Sequence, residues 1–420
     1  MIEEFSFGNC WSFKESQTLN MAAAKIKSHN HLLDLDNVIS VDENTNLLKS
    51  KAIYGANASG KSNITKALVA FLQIIRDSVK DEKILSLIEH FRLSTETVNE
   101  PTFFQLIFRV DKIRYRYGFE ADKKSIKSEW LFSTPNIREQ PLFIRENNEI
   151  VEINQKHFED GNKLFALMGD VKENPIFREN SLFLSSLASF GFGKISQKII
   201  QKLSSIAVVS GLGHYGMYNL ASDSLDDIEK KRFILNFLKD ADVGINDLKT
   251  MEFNDEDEKD VKGLKWIFSY HSLFNEKQEK VGTTGLSFQY HESEGTIKMF
   301  ELSSYIYNSL KEGKTLIIDE FDARFHPLLT KKIVELYNSI ENKEAQLIFT
   351  THDTNLLSSN LLRRDQIDFV EKDKFGASHL YTLVEIKGIR NNASFEKDYI
   401  QGKYGAIPFL GNFSNLLNPE

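Results

Sequence analysis

The stretch "YGANASGKSN", residues 54–63, stands between the short apolar run "AIY" and "ITKALVAFLQII", whose apolar residues recur at helical spacing. Gly55, Gly60, Lys61 and Ser62 satisfy the pattern G-x-x-x-x-G-K-[ST] without deviation. In that pattern the backbone N–H groups of a tight loop, here Asn57, Ala58, Ser59 and Gly60, surround phosphate oxygens. Lys61 reaches the outer phosphates, the Ser62 hydroxyl ligates Mg²⁺, and Asn63 opens the following helix. That helix is predicted to bury Ile64, Leu68, Phe71 and Ile75 on one face and to aim its positive end at the anion. The expected unit is strand, phosphate loop (P-loop), helix, with ATP and Mg²⁺ as its ligands.

Working outward, a second carboxylate source for the metal is needed. "TLIIDE" supplies Asp319 at the end of an apolar run, followed by Glu320, placed to orient or deprotonate an attacking water. "AQLIFTTHD" brings His352 to the end of another predicted strand, where it faces a γ-phosphate across the sheet's carboxyl edge. "ESEGT", residues 292–296, precedes an amphipathic helix, so Ser293, the Gly295 backbone and the helix N-terminus form a second anion site. The alternative reading of Ser293 is a helix N-cap, and that of His352 a hydrogen-bonded core histidine. One nucleotide does not need two cradles, whereas two chains facing each other would use both.

The remainder of the chain places these motifs. "TFFQLIFRV" and "IRYRYGFEA" are predicted to be strands joined by a turn at Asp111 and Lys112, extending a sheet beside the P-loop unit. Lys25 to Ser50 reads as a polar insertion or long loop. Residues 123–262 read as a mainly helical domain inserted between two halves of a head, residues 1–122 and 263–420, with the acidic run "NDEDEKD" (254–260) as a solvated boundary. Alternating strands and helices after that run imply a parallel sheet, so the expected fold class is α/β. His271 and the acidic run are read as a strand-end polar residue and a loop, not as a nuclease metal site. Arg363 and Arg364 are read as solvated surface, with nucleic acid or a partner as the alternative contact.

Composition limits the classes. The 420 residues carry a formal net charge of -8, which gives no long-range attraction to nucleic acid, although local patches remain open. The single cysteine, Cys10, excludes an intramolecular disulfide and a Cys-rich zinc site. No signal peptide or membrane-length apolar run is visible, so a cytoplasmic location and no membrane partner are expected.

The order P-loop, "SEGT", "LIIDE", "DARFHP", "TTHD" resembles the ABC-type ATPase heads of SMC, RecF and overcoming-lysogenisation-defect proteins. Together with "NCWSF", "ESEGTIKMFEL" and the terminal "YIQGKYGAIPFLG", it is similar to AAA-family bacterial ATPases of the RloA and AbiL type, associated with abortive infection and phage defence. The resemblance implies a P-loop NTPase head of ABC-ATPase type with a mixed or parallel sheet. It implies an ATPase that forms a head-to-tail homodimer or higher oligomer around ATP and Mg²⁺. Ser293 and Gly295 would act on the nucleotide held by the other copy's Lys61, Asp322 would cross the interface, and His352 would be the switch histidine. The implied role is sensor in a defence system, with a nuclease or toxin effector on a separate chain, since no nuclease signature is visible here. A RecF- or SMC-like DNA-repair ATPase and a low-turnover nucleotide-gated scaffold are the rival readings. Trp11 stands in "NCWSF" where relatives tend to carry an arginine, and Gln105 lies in a predicted strand and does not read as a Q-loop glutamine.

Overall fold

The computed structural model describes residues 1–162, 178–212, 215–241, 244–252, 265–390 and 392–408. The chain opens with β1 (Ile2–Gly8) and β2 (Gln17–Asn20), passes a small hairpin of Val38–Ser40 against Asn46–Leu48, and enters β3 (Ser50–Gly55) and α1 (Lys61–Asp77). A meander follows: β4 (Thr102–Val110), β5 (Ile113–Ala121), β6 (Ile126–Thr134), β7 (Gln140–Glu146) and β8 (Glu149–Ile153). Helices α2 (Phe183–Phe190) and α3 (Lys194–Ser204) lead to β9 (Ala207–Ser210), and α4 (Tyr215–Ser224) and α5 (Ile228–Asp240) lead to β10 (Asp247–Glu252), β11 (Lys265–Phe274) and β12 (Lys280–Ser287). The last part holds α6 (Glu294–Glu312), β13 (Thr315–Asp319), α7 (Pro327–Asn338), β14 (Gln346–Thr350), β15 (Ile367–Lys372) and β16 (Ser378–Thr382).

These strands form a six-stranded sheet in the order β9-β13-β14-β3-β15-β16 and a seven-stranded sheet in the order β8-β7-β6-β5-β4-β1-β2. The first is parallel except for the β15–β16 pair; the second is antiparallel throughout. Every residue of β3 is buried, as a strand covered on both faces requires. Register does the functional positioning: Ser210 lies opposite Asp319, Ile318 opposite Phe349, Thr350 opposite Ile53, and Gly55 opposite Val370. The carboxyl ends of β9, β13, β14 and β3 therefore share one edge, where α/β sheets bind ligands.

Helix α1 joins the two sheets. Its predicted face, Ile64, Leu68, Phe71 and Ile75, is buried, and Phe71 stacks on Phe119 of β5 with centroids 5.6 Å apart. Each such side chain contributes about 1.5–3 kcal/mol when fully buried, so packing against the antiparallel sheet holds the helix more than propensity does. Cys10 is buried in the same core, and burial pushes its thiol pKa up, away from reactivity. The turn at Asp111 and Lys112 has φ of 49° and 69°, the two left-handed residues that a two-residue hairpin requires.

Two expectations need correction. Strands β4 and β5 do not extend the P-loop sheet but belong to the separate antiparallel one. Residues 126–153, expected to begin a mainly helical insertion at 123, are three strands that continue that sheet. The first of them shows the period of two in "EWLFST", where Glu129, Leu131 and Ser133 are buried and their neighbours are not. Helices α2 and α3 pack into the head: Phe183, Leu187, Ile199 and Leu203 share one core with Phe71. Buried Glu129 of β6 accepts bonds from the N–H groups of Phe183 and Leu184, at 2.7 and 3.0 Å, capping α2 from the sheet. The boundary at 262 lies outside the described residues, between β10 and β11, which pair with each other in a three-stranded sheet with β12. The run at 254–260 lies outside the described residues. Among the described residues, no helix is long and apolar enough to cross a membrane.

Candidate nucleotide-binding site

Gly55 ends β3 and Lys61 begins α1, so the loop between them must reverse direction within five residues. Ala58 and Gly60 turn it with φ of 61° and 114°. A Cβ at Gly60 would lie 2.5 Å from Ser378 Oγ and 2.7 Å from Ser12 Oγ, so only glycine fits. Those two hydroxyls buttress the loop from behind: Ser378 Oγ donates to Ser59 O at 2.5 Å, and Asn63 Nδ2 donates to Ser12 Oγ at 2.8 Å. Asn57 and Ala58 are exposed at the loop's tip, while Ser59 is buried. The Ser59 hydroxyl is buried without a hydrogen-bond partner and lies against Gly55, where a Cβ would come within 2.6 Å of it.

Lys61 is buried, its ammonium donating to the carbonyls of Gly55 at 2.8 Å and Ala56 at 3.1 Å. Burial lowers its pKa to about 8, against the opposing pull of Asp319, Asp322 and Glu320, so it remains cationic at neutral pH. Ser62 Oγ donates to Asp319 Oδ1 at 3.2 Å. The same oxygen accepts from Thr350 Oγ1 at 2.6 Å, and Thr350 Oγ1 in turn accepts from Glu320 N at 2.8 Å. One threonine thus fixes both acidic residues. Glu320 has φ 54°, a left-handed backbone unusual for glutamate and located at the sheet's carboxyl edge. Gly211, just past β9, holds that kink: its N–H donates to Asp319 O at 2.6 Å, and a Cβ on it would lie 1.9 Å from Glu320 O.

Asp322 Oδ1 accepts from Thr351 Oγ1 at 2.7 Å and from the His352 N–H at 3.1 Å, tying the loop after β13 to the end of β14. The His352 ring is open to solvent at its edge. Surrounding protein atoms nevertheless lower its pKa, with the Lys61 ammonium adding to the effect, so it is neutral at pH 7.

The structure thus brings Lys61, Ser62, Asp319, Glu320, Asp322 and His352 to one edge. Ser293 and Gly295 form a second cluster at the start of α6. Ser293 Oγ accepts from Thr296 N at 3.1 Å, the N-cap reading, and a Cβ on Gly295 would lie 3.1 Å from Arg324 O. Sequence reasoning missed Thr350, Gly211, Ser12 and Ser378, which act only through neighbours distant in sequence. Arg363, read as surface, is buried between Asp34 and Asp365 at 2.6 and 2.7 Å, and Arg364 donates to Ile389 O. His271 meets Glu292 at 2.8 Å, and among the described residues no group of three or more His, Cys, Asp or Glu is arranged to hold a metal. Gln105 Oε1 accepts from Arg116 on the neighbouring strand β5 and from Trp130 on β6, one strand further.

The donor set fits Mg²⁺ together with a nucleotide. Ser62 and Asp319 are hard oxygen ligands, and Mg²⁺ is held by one or two protein groups plus phosphate and water.

Several solved structures align with the chain at low identity. The SmcHead bound to the C-winged helix domain of ScpA is 15% identical with TM-score 0.45, covering 91% of this chain and 97% of that one. The SMC head domain from Thermotoga maritima is 12% identical with TM-score 0.39, covering 91% and 98%. The Smc head domain with an extended coiled coil, bound to the C-terminal domain of ScpA derived from Pyrococcus furiosus, is 15% identical with TM-score 0.38, covering 96% and 98%. A search for relatives among curated proteins returns no match. Residues 52–358, from the P-loop strand to beyond His352, match a family model, and the chain belongs to that family, described as "AAA domain, putative AbiEii toxin, Type IV TA system".

Proposed function

We propose that the chain is an ATPase that uses MgATP as a clasp between two copies of itself and acts as the sensor of an anti-phage, abortive-infection system of the RloA/AbiL type. The clasp would control an effector, a nuclease or toxin, on a separate chain. The observation that carries the catalytic reading is the pair Ser62–Asp319, 3.2 Å apart, with Glu320 beside it on a strained backbone.

Each residue then has a task. The loop N–H groups and Lys61 bind and orient the phosphates, and Lys61 exchanges the Gly55 and Ala56 carbonyls for them. Ser62 and Asp319 would hold Mg²⁺, which supplies neutralisation of charge on the phosphate oxygens. Glu320 takes the proton of the attacking water, and neutral His352 offers a hydrogen bond toward the terminal phosphate. Ser293 and Gly295 face outward with the α6 N-terminus and complete the partner's site. The DNA-repair alternative draws less support, because Arg363 and Arg364 are occupied within the fold.

Phosphate release and light scattering test this reading. Lys61→Ala is expected to abolish turnover. Glu320→Gln is expected to lower it by about 10²–10⁴-fold while retaining ATP and accumulating a dimer. A Glu320→Gln protein that stays monomeric with MgATP would falsify the clasp.

A further inference from the structure

Between the short helical turn Phe288–His291 and α6 the backbone runs extended through Glu292 and Ser293, with ψ of 156° and 153°. Successive side chains of an extended chain point to opposite sides, and these two divide accordingly. Ser293 is exposed, whereas the Glu292 side chain is only 9% exposed and turns into the molecule. There its Oε1 accepts from Ser269 Oγ at 2.6 Å and from His271 Nε2 at 2.8 Å, both on β11. We infer that Glu292 is a positioning residue: held by Ser269 and His271, it sets where Ser293 and the start of α6 stand toward the nucleotide of a second copy. This rests on the clasp reading above.

The support is firm on the β11 side. Ser269 is fully buried, and Ile267 on the same face of the strand shares a core with Leu248 of β10, Phe288, and Met299 and Phe300 of α6. Pairing with β12 sets Ser269 opposite Leu286 and His271 opposite Thr284. A carboxylate has no proton to give, so the His271 ring presents Nε2–H to it. Ser293 is anchored differently. The bonds of its hydroxyl run to Thr296, three residues on in the same helix, so they fix Ser293 relative to α6 and not relative to β11. The apolar contacts of Met299 and Phe300 hold α6 against the sheet, but such contacts are non-directional. The two bonds to Glu292 are short and directional, and a carboxylate withdrawn from water is stable only where they form. They therefore give the loop one register on β11, and with it the exposed hydroxyl next in sequence.

The Glu320→Gln chain provides the test, by light scattering with MgATP and by calorimetric titration of MgATP at protein concentrations too low for the dimer. A shift of about 1 Å at a reacting centre costs about 10²-fold, so adding Glu292→Ala is expected to weaken the dimer at least about tenfold. The P-loop of the single chain is expected to keep its ATP affinity to within about twofold, as independent sites do. Glu292→Gln retains an oxygen that accepts both bonds, and is expected to hold the dimer to within about threefold of the Glu320→Gln parent. The double variant Ser269→Ala/His271→Ala removes the same bonds from the other side and is expected to reproduce Glu292→Ala. An unweakened dimer in Glu292→Ala, a fall in ATP affinity parallel to that of the dimer, no rescue by Glu292→Gln, or a Ser269→Ala/His271→Ala variant without effect would each overturn the positioning role and leave the clasp in place. A Glu320→Gln parent that does not dimerise removes the clasp and this role together.

Discussion

At the residue scale the site depends on side chains that hold other side chains. Asp319 and Glu320 were readable because a carboxylate pair ending an apolar strand has few other uses beside a P-loop. Gly211 was not readable, because "SGLGH" gives no hint that its backbone lies against the Glu320 carbonyl; that contact arises from β9 pairing with β13. Gly211→Ala is a direct test of the kink. The added methyl would meet Glu320 O at 1.9 Å and Asp319 O at 3.0 Å, both backbone atoms that can yield only by moving the acidic pair. Overpacking of this kind costs about 1–3 kcal/mol. The expected outcome is a lowered melting temperature together with loss of phosphate release well beyond that of a surface control. An active, equally stable variant would show that Glu320 does not need its left-handed backbone.

Elements add a coupling that no motif announced. Lys298 points from the buried face of α6 into the loop after β13, where its ammonium donates to Phe321 O at 2.9 Å and to Ala323 O and sits 3.9 Å above the Phe325 ring. It thereby joins the helix that starts at Ser293 to the loop that carries Asp322. Burial lowers its pKa to about 8, with Arg324 adding to the depression while Asp322, Glu301 and Glu320 oppose it. The sign follows from linkage: between about pH 8 and 10 the unfolded chain binds more protons at this position than the folded one, so its contribution makes stability rise with pH. Lys298→Met is expected to flatten that rise in melting scans relative to wild type; an unchanged slope would mean the ammonium is solvated. In sequence, a lysine within "EGTIKMFEL" reads as an exposed helix position, because helical period alone does not reveal a buried charge satisfied by carbonyls from another element. The strands at 126–153 were obscured differently. Their alternation is present, but buried Glu129 and Arg145 occupy positions that a polarity pattern assigns to solvent. By contrast, β13, α7 and β14 were legible because strictly apolar runs next to an amphipathic helix leave little choice.

For the whole molecule, the proposed clasp sets the question: it needs a second copy, arranged about a two-fold axis so that each P-loop meets the other's Ser293. Mixing two defective variants isolates this requirement. Lys61→Ala keeps an intact Ser293 but no functional phosphate site, whereas Ser293→Arg keeps Lys61 but presents a bulky cation where the small hydroxyl would approach. Each alone is expected to release negligible phosphate. In an equal mixture, half of the dimers are heterodimers, and each of these pairs the intact P-loop of one chain with the intact α6 start of the other. One of its two sites is whole, so the mixture is expected to recover up to about a quarter of wild-type turnover. If each chain completed its own site, mixing would recover nothing, because every P-loop in the mixture would remain beside the defect of its own chain. Recovery that rises with total protein concentration would further identify the active species as the dimer, and would place the hydrolytic cycle at an interface between copies, not within one chain.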